Sequence, residues 1–224
     1  YCTYCGNTYG RDDLSRTKPI DKDGIRRFDI GANVFEKNIG KVLEITWSDG
    51  KYGYSGSGFV VSSDGWAVTN AHVVTGESGE HCKMVKISVG GKNTEADVVR
   101  LGDGIDLAVI KLKNVCGMDA ARLADFESVR NGEQVFVIGN SLGFGSCITS
   151  GIVSDKRRDV GGKMLLMTDC AVNEGNSGGP VFNIEGEVIA VIVSGISGAE
   201  GMNFAIPIDD VISFIGSCNQ KIIY

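Results

Sequence analysis

The sequence predicts an all-β protein made of a double six-stranded antiparallel β-barrel with a short C-terminal helix. Three observations carry this. Short runs rich in β-branched and apolar residues recur along the chain, about six in the first half and six in the second. Glycine is abundant at 32 residues and proline scarce at 3, which suits many tight turns between short strands. No long segment of helical period appears before Ile208–Ile215. Strand-turn-strand spacing of this kind closes into barrels, because closure leaves no unpaired strand edge.

In chain order, the first set of strands is expected near Val42–Trp47, Ser57–Ser62, Trp66–Asn70, Met84–Val89, Thr94–Arg100 and Leu107–Leu112. The second set falls near Gln134–Gly139, Cys147–Asp155, Met164–Asp169, Gly179–Asn183, Val188–Ser194 and Met202–Pro207. A linker is expected around Lys113–Arg130. A chain of 224 residues can bury a core as one large domain or as two small lobes. The division that follows is an N-terminal segment over 1–34, a first lobe over 35–120 and a second over 121–224.

Charge narrows the partners. The net charge is −6, and the one basic patch, Lys156-Arg157-Arg158, reads as a solvated loop, so nucleic acid and anionic membrane surfaces are not expected as main partners. The strongest apolar run, Val188–Val193, has the length of a buried strand and falls far short of the ~18 residues of a membrane helix. The first residue is Tyr1 rather than Met, which reads as a processed or trimmed product; a signal peptide, an anchor or an upstream domain could have preceded it.

The stretch Asn173-Glu174-Gly175-Asn176-Ser177-Gly178-Gly179-Pro180 sets one serine among glycines. A backbone that turns this tightly can aim two amide N–H groups at one point beside a hydroxyl, as an acyl-transfer nucleophile and its oxyanion hole require. The same residues match the G-x-S-x-G elbow, whose triad runs serine, acid, histidine along the chain. That order is excluded, because the two histidines, His72 and His81, both precede Ser177. His72 follows a strand-turn-strand pattern through Gly56-Ser57-Gly58 and Ser62-Ser63-Asp64-Gly65, so it sits at a strand end. Asp106, immediately before Leu107–Leu112, is placed to fix the imidazole tautomer. Taken singly, these are a turn serine, a strand-start cap and a half-buried histidine. Together, in the order His72, Asp106, Ser177, they form a catalytic triad whose members can meet only in a cleft between two lobes. His81 reads as a loop residue beside Cys82.

Six phrases carry a family resemblance: Thr69-Asn70-Ala71-His72-Val73-Val74, Asp106–Leu112, Ile138-Gly139-Asn140-Ser141-Leu142-Gly143, Thr149–Ser154, Thr168–Asn173 and Asn203–Pro207. Over roughly Phe35 to Ile215 the chain resembles the protease domain of the HtrA/DegP branch of trypsin-like serine proteases. The resemblance implies a chymotrypsin-like double barrel and endopeptidase activity. Two departures stand out: Glu174 occupies a position where the family usually has proline, and no PDZ domain follows within the 224 residues.

The oxyanion donors expected are the N–H groups of Gly175 and Ser177, with Asn176 facing away. By analogy with trypsin-like folds, the substrate pocket is walled by Ala171–Asn173, Ile192–Ser194 and Met202–Phe204. Ala171, Val172, Ile192, Val193, Ser194 and Phe204 therefore contact the substrate, and a small or medium aliphatic residue is favoured before the scissile bond. Among these walls the nearest carboxylate is Asp169.

Of the seven cysteines, Cys2 and Cys5 form a CxxC like one knuckle of a zinc ribbon, so a structural zinc is considered there. The other five lack disulfide spacing and read as free thiols, which favours a cytoplasmic location, whereas the resemblance points outside the cytoplasm. The activity expected is serine endopeptidase action on protein or peptide substrates, with no cofactor for catalysis. The alternative is a non-catalytic binding or scaffold module that keeps the barrels. Gly-rich loops over 140–146 and 194–201 border the cleft, so an activating protein partner or upstream domain is expected to order them.

Overall fold

The computed structural model describes residues 29–140, 145–195 and 201–217. The first barrel contains β1 (Val42–Ser48), β2 (Gly53–Val60), β3 (Trp66–Thr69), β4 (Met84–Val89), β5 (Lys92–Leu101) and β6 (Ala108–Leu112). They pair antiparallel in the order β1-β2-β3-β6-β5-β4, and the sheet closes where β4 returns to β1 through Ile45 opposite Ile87. After a short β7 (Arg122–Leu123), the second barrel is formed by β8 (Gln134–Asn140), β9 (Ser146–Val160), β10 (Lys163–Thr168), β11 (Pro180–Phe182), β12 (Glu187–Gly195) and β13 (Asn203–Pro207). Its order is β11-β8-β9-β10-β13-β12, closed by β11 against β12, while β7 lies parallel along the outside of β12.

Alternation along each strand decides what fills the barrels. Leu43 and Ile45 of β1, Val60 of β2, Ala67 of β3 and Ile110 of β6 point into the first barrel's core. Their neighbours Val42, Phe59, Val68 and Val109 belong to the cluster that fills the second barrel and the junction. Strands β2, β3 and β6 are therefore buried on both faces, which is why the run Leu107–Leu112 is apolar nearly throughout. Each fully buried Val, Ile, Leu or Phe contributes about 1.5–3 kcal/mol relative to exposure, so the two lobes are held by a continuous apolar seam.

Among the described residues, two α-helices flank the barrels. The C-terminal α2 (Ile208–Gly216) falls where the sequence predicts it and buries Ile208, Val211, Phe214 and Ile215. The other, α1 (Ile30–Asn38), was not expected from the sequence. Its only fully buried apolar residue is Val34, too few to show a helical period, and tertiary contact makes the helix. It packs against β8 and β9 of the second barrel and spans the expected boundary between residues 34 and 35.

Candidate active site

β3 carries the chain to Thr69, and a short 3₁₀ turn over His72–Val74 follows. Val73 and Val74 are buried and pin this turn to the first barrel's core. The Trp47 indole N–H donates to the Val73 carbonyl at 2.8 Å, and the Thr75 hydroxyl to the Ala71 carbonyl at 2.8 Å. The histidine is left on a rigid support with its side chain half-exposed.

Asp106 meets it with both oxygens. Oδ1 accepts the His72 backbone N–H at 3.0 Å, and Oδ2 lies 2.6 Å from His72 Nδ1. The Asn70 side-chain amide holds the Asp106 carbonyl at 2.8 Å. Burial pushes the Asp106 carboxyl up, but the His72 hydrogen bond and charge, with the N–H groups of His72 and Ala71, outweigh it and leave the group below the ordinary carboxylate value. An ionised carboxylate can only accept, so Nδ1 carries the proton, and a neutral imidazole held this way has its lone pair on Nε2.

Ser177 lies between β10 and β11. The Asn176 N–H donates to the Asn173 carbonyl at 3.1 Å, and Gly175 between them has φ 93°. This is the type II form of a β-turn, whose third residue requires positive φ and hence glycine. Among the described residues, neither the Gly175 nor the Ser177 N–H donates to a backbone acceptor. The Asn176 side chain is buried.

The two barrels meet tightly here. A Cβ on Gly178 (φ 80°) would stand 2.3 Å from the Ser57 carbonyl and from Thr69 Oγ1, and 3.0 Å from the Asn70 nitrogen. A Cβ on Gly56 would strike Val73 and approach the Ser177 carbonyl at 3.2 Å. The serine turn is thus docked beside the residues that lead into His72. One feature differs from a pre-aligned triad: the Ser177 hydroxyl donates to the Val193 carbonyl at 2.9 Å. A hydroxyl rotor takes the best acceptor within reach, and in this state that acceptor belongs to β12.

The expected pocket walls divide by strand alternation. Val193 and Val172 are half-buried and Ala171 is exposed, whereas Ile192 is fully buried in the second barrel's core. Phe204 is nearly buried, and of Ser194 only the backbone within β12 is described. Asp169 is engaged elsewhere, its Oδ1 accepting the Ile152 N–H at 2.6 Å. His81 is exposed and forms a lone bridge with Thr75. Cys2, Cys5, Cys218 and the centres of both glycine-rich loops, 141–144 and 196–200, lie outside the described residues. Cys82, Cys116, Cys147 and Cys170 are free thiols. Sequence reasoning passed over Ser57, Asn70 and Trp47; the signal for Ser57 was a serine between two glycines just before the apolar end of a strand.

Two closed six-stranded barrels, an Asp–His pair on one and a glycine-flanked serine on the other, define the chymotrypsin-like class of serine protease folds. Residues 56–191 match the trypsin-like peptidase domain. The chain belongs to the trypsin-like peptidase family, in its HtrA/DegP group. It is 40% identical over 158 residues to a probable periplasmic serine endoprotease DegP-like of Rhizobium meliloti, covering 68% of this chain and 31% of that protein. It is 37% identical over 176 residues to serine protease HTRA1 of Xenopus tropicalis, covering 75% and 36%. Among solved structures, an HtrA-type protease AlgW variant with a tripeptide aligns at TM-score 0.76 and 27% identity, covering 85% of this chain and 64% of that one. The chain therefore spans about a third of the length of these two curated relatives.

Proposed function

We propose that this chain is a serine endopeptidase that cleaves protein or peptide substrates through His72, Asp106 and Ser177. The observation that carries the reading is the two-point grip of Asp106 on His72, docked beside a serine turn whose flanking N–H groups have no backbone partner. In the reaction, the Ser177 hydroxyl turns from the Val193 carbonyl to His72 Nε2. That exchange gives up one hydrogen bond of about 0.5–1.5 kcal/mol net, small beside the barrier of peptide hydrolysis. His72 takes the proton as Oγ attacks the carbonyl carbon, and the Gly175 and Ser177 N–H groups receive the developing oxyanion. The imidazolium, stabilised by Asp106, then protonates the leaving amine. Water attacks the acyl-enzyme with His72 again as base, so the chemistry runs on protein groups alone.

Of the residues expected around the pocket, Ala171, Val172, Ile192, Val193 and Phe204 are apolar and Ser194 is uncharged, which supports a small or medium aliphatic P1 residue. The resting position of the Ser177 hydroxyl supports a role for an activating protein partner or upstream domain. The names of its periplasmic relatives make an extracytoplasmic compartment the first to test, by fractionation. A fluorophosphonate probe is the direct test: it should label Ser177 in the wild type, and Ser177→Ala should lower peptide turnover by on the order of 10⁶. A chain that folds but neither labels nor hydrolyses would make it a binding module instead, and Ser177→Ala with wild-type turnover would remove the assignment.

A further inference from the structure

Ser57, on β2 of the first barrel, is completely buried, yet every polar group it has is used, three of them at the cleft. Its hydroxyl donates to the Gly175 carbonyl at 2.7 Å and accepts the Asn140 N–H at 2.9 Å. Its backbone N–H donates to the Ser177 carbonyl at 2.8 Å, and its own carbonyl accepts the Thr69 hydroxyl at 2.6 Å. A hydroxyl has one proton to give. With Asn140 occupying an oxygen lone pair, that proton is committed to Gly175.

We propose that Ser57 is a positioning residue for the oxyanion hole, holding across the barrel junction the carbonyls of the two residues whose N–H groups receive the oxyanion. The inference rests on the endopeptidase reading. Gly175 and Ser177 each have an N–H without a backbone acceptor among the described residues and a carbonyl that accepts from Ser57. Fixing a residue's carbonyl anchors the peptide plane on its C-terminal side, and φ and ψ of that residue relate this plane to the preceding one, which carries its own N–H. The constraint matters most at Gly175, because glycine at φ 93° has no Cβ to narrow its range. The Ser177 carbonyl is held by a backbone N–H that any residue at 57 would supply, but the Gly175 carbonyl is held by the side chain. The identity of residue 57 therefore acts on one donor of the two. A second consequence concerns reach: Asn140 ends β8 where the glycine-rich loop begins, so one hydroxyl ties the turn at Gly175 to that loop's base.

The test uses the whole chain with three variants and two kinds of ligand. Peptide turnover reports the transition state, and a peptide boronate, whose tetrahedral adduct on Ser177 places an oxygen in the hole, reports the hole by equilibrium. Removing an oxyanion donor outright typically lowers kcat by 10²–10³. Misaiming one should lower it by less, roughly tenfold to a hundredfold in Ser57→Ala, with KM nearly unchanged and boronate affinity falling by the same factor. A role in folding alone would reduce the active fraction, counted by fluorophosphonate titration, without changing kcat per active site. Ser57→Cys keeps a weak donor and most of the volume, so it should fold and give an intermediate rate. Ser57 variants with wild-type kcat per titrated site and wild-type boronate affinity would overturn the inference while leaving the endopeptidase reading intact. A Ser177→Ala chain that still hydrolyses would overturn that reading first.

Discussion

The two barrels contribute to the cleft in opposite ways. The first supplies charge: Asp106 and His72 are joined by two contacts, backed by Asn70, and set on a turn anchored by Val73 and Val74. The second supplies backbone: a serine on a glycine turn, two N–H groups without backbone partners among the described residues, and a hydroxyl that rests on the Val193 carbonyl. A partly buried carboxylate must be held rigidly, because one that loses its hydrogen-bond partners keeps the desolvation penalty. A nucleophile must instead move between two acceptors. The contrast places the stored order of the site on the first barrel and its adjustable step on the second.

The sharpest way to break the first half of that contrast is Asp106→Asn. The amide keeps one acceptor oxygen and puts an NH₂ donor in place of the other, so it cannot accept from both the His72 backbone N–H and Nδ1–H; the ring loses its fixed tautomer, and kcat should fall by ~10⁴. Stopped assays with active-site titration would check it. The same variant should alter the acid limb of stability. Asp106 is held below its unfolded value, so its contribution is present above the ordinary carboxylate range and is lost as pH falls through the lower folded value. Denaturant midpoints of wild type and variant should therefore converge on acidification below pH ~4.

Gly178→Ala tests the junction between the barrels. The new methyl would stand 2.3 Å from the Ser57 carbonyl, with φ 80° against it, so ~2–5 kcal/mol of stability should be lost, measured by urea unfolding. A variant of wild-type stability would mean the turn is free to back away from β2. Deeper in the second barrel, burial is the main force pushing the Cys170 thiol up to about 11, with the Asp169 charge adding and the Thr168 hydroxyl opposing. Between the unfolded thiol's value near ~9 and the folded one, the unfolded chain releases a proton that the native state retains. Stability should therefore decline by about 2–3 kcal/mol as pH rises through that window, and Cys170→Ala should flatten the decline.

The smallest effect expected is also the most informative about the adjustable half. Glu174 is the second residue of the type II turn, where proline's fixed φ is favoured. Glu174→Pro should stabilise by about 0.4–1 kcal/mol, seen as a small rise in Tm, and increase turnover if the turn is loosely populated. A gain in stability without a gain in rate would show that Ser57 already holds the turn.

The strands were legible because their signal is local. Val42–Trp47, Met84–Val89 and Gln134–Gly139 announce themselves by composition and bounding glycines, and the observed elements fall within a residue or so of them. β2 begins four residues earlier than expected, at Gly53, because its first half is polar and is recruited only by pairing with β1. The ranges of β9, which runs to Val160, and of α1 were likewise set by neighbours rather than by sequence period.

By itself the sequence determined the two sets of strands, the order His72, Asp106, Ser177 and the glycines that permit positive φ around the serine, since each depends on a residue's own backbone freedom or on its immediate neighbours. Tertiary structure alone decided that Ile192 is fully buried while its neighbour Val193 is only half-buried, that the Ser177 hydroxyl rests on a carbonyl of β12, and that Ser57 reaches across 118 positions to hold Gly175. The physical reason is the same in each case. Which face of a strand is buried, and which donor meets which acceptor, is fixed only when a barrel closes and a second barrel packs against it, bringing together groups that no sequence window contains.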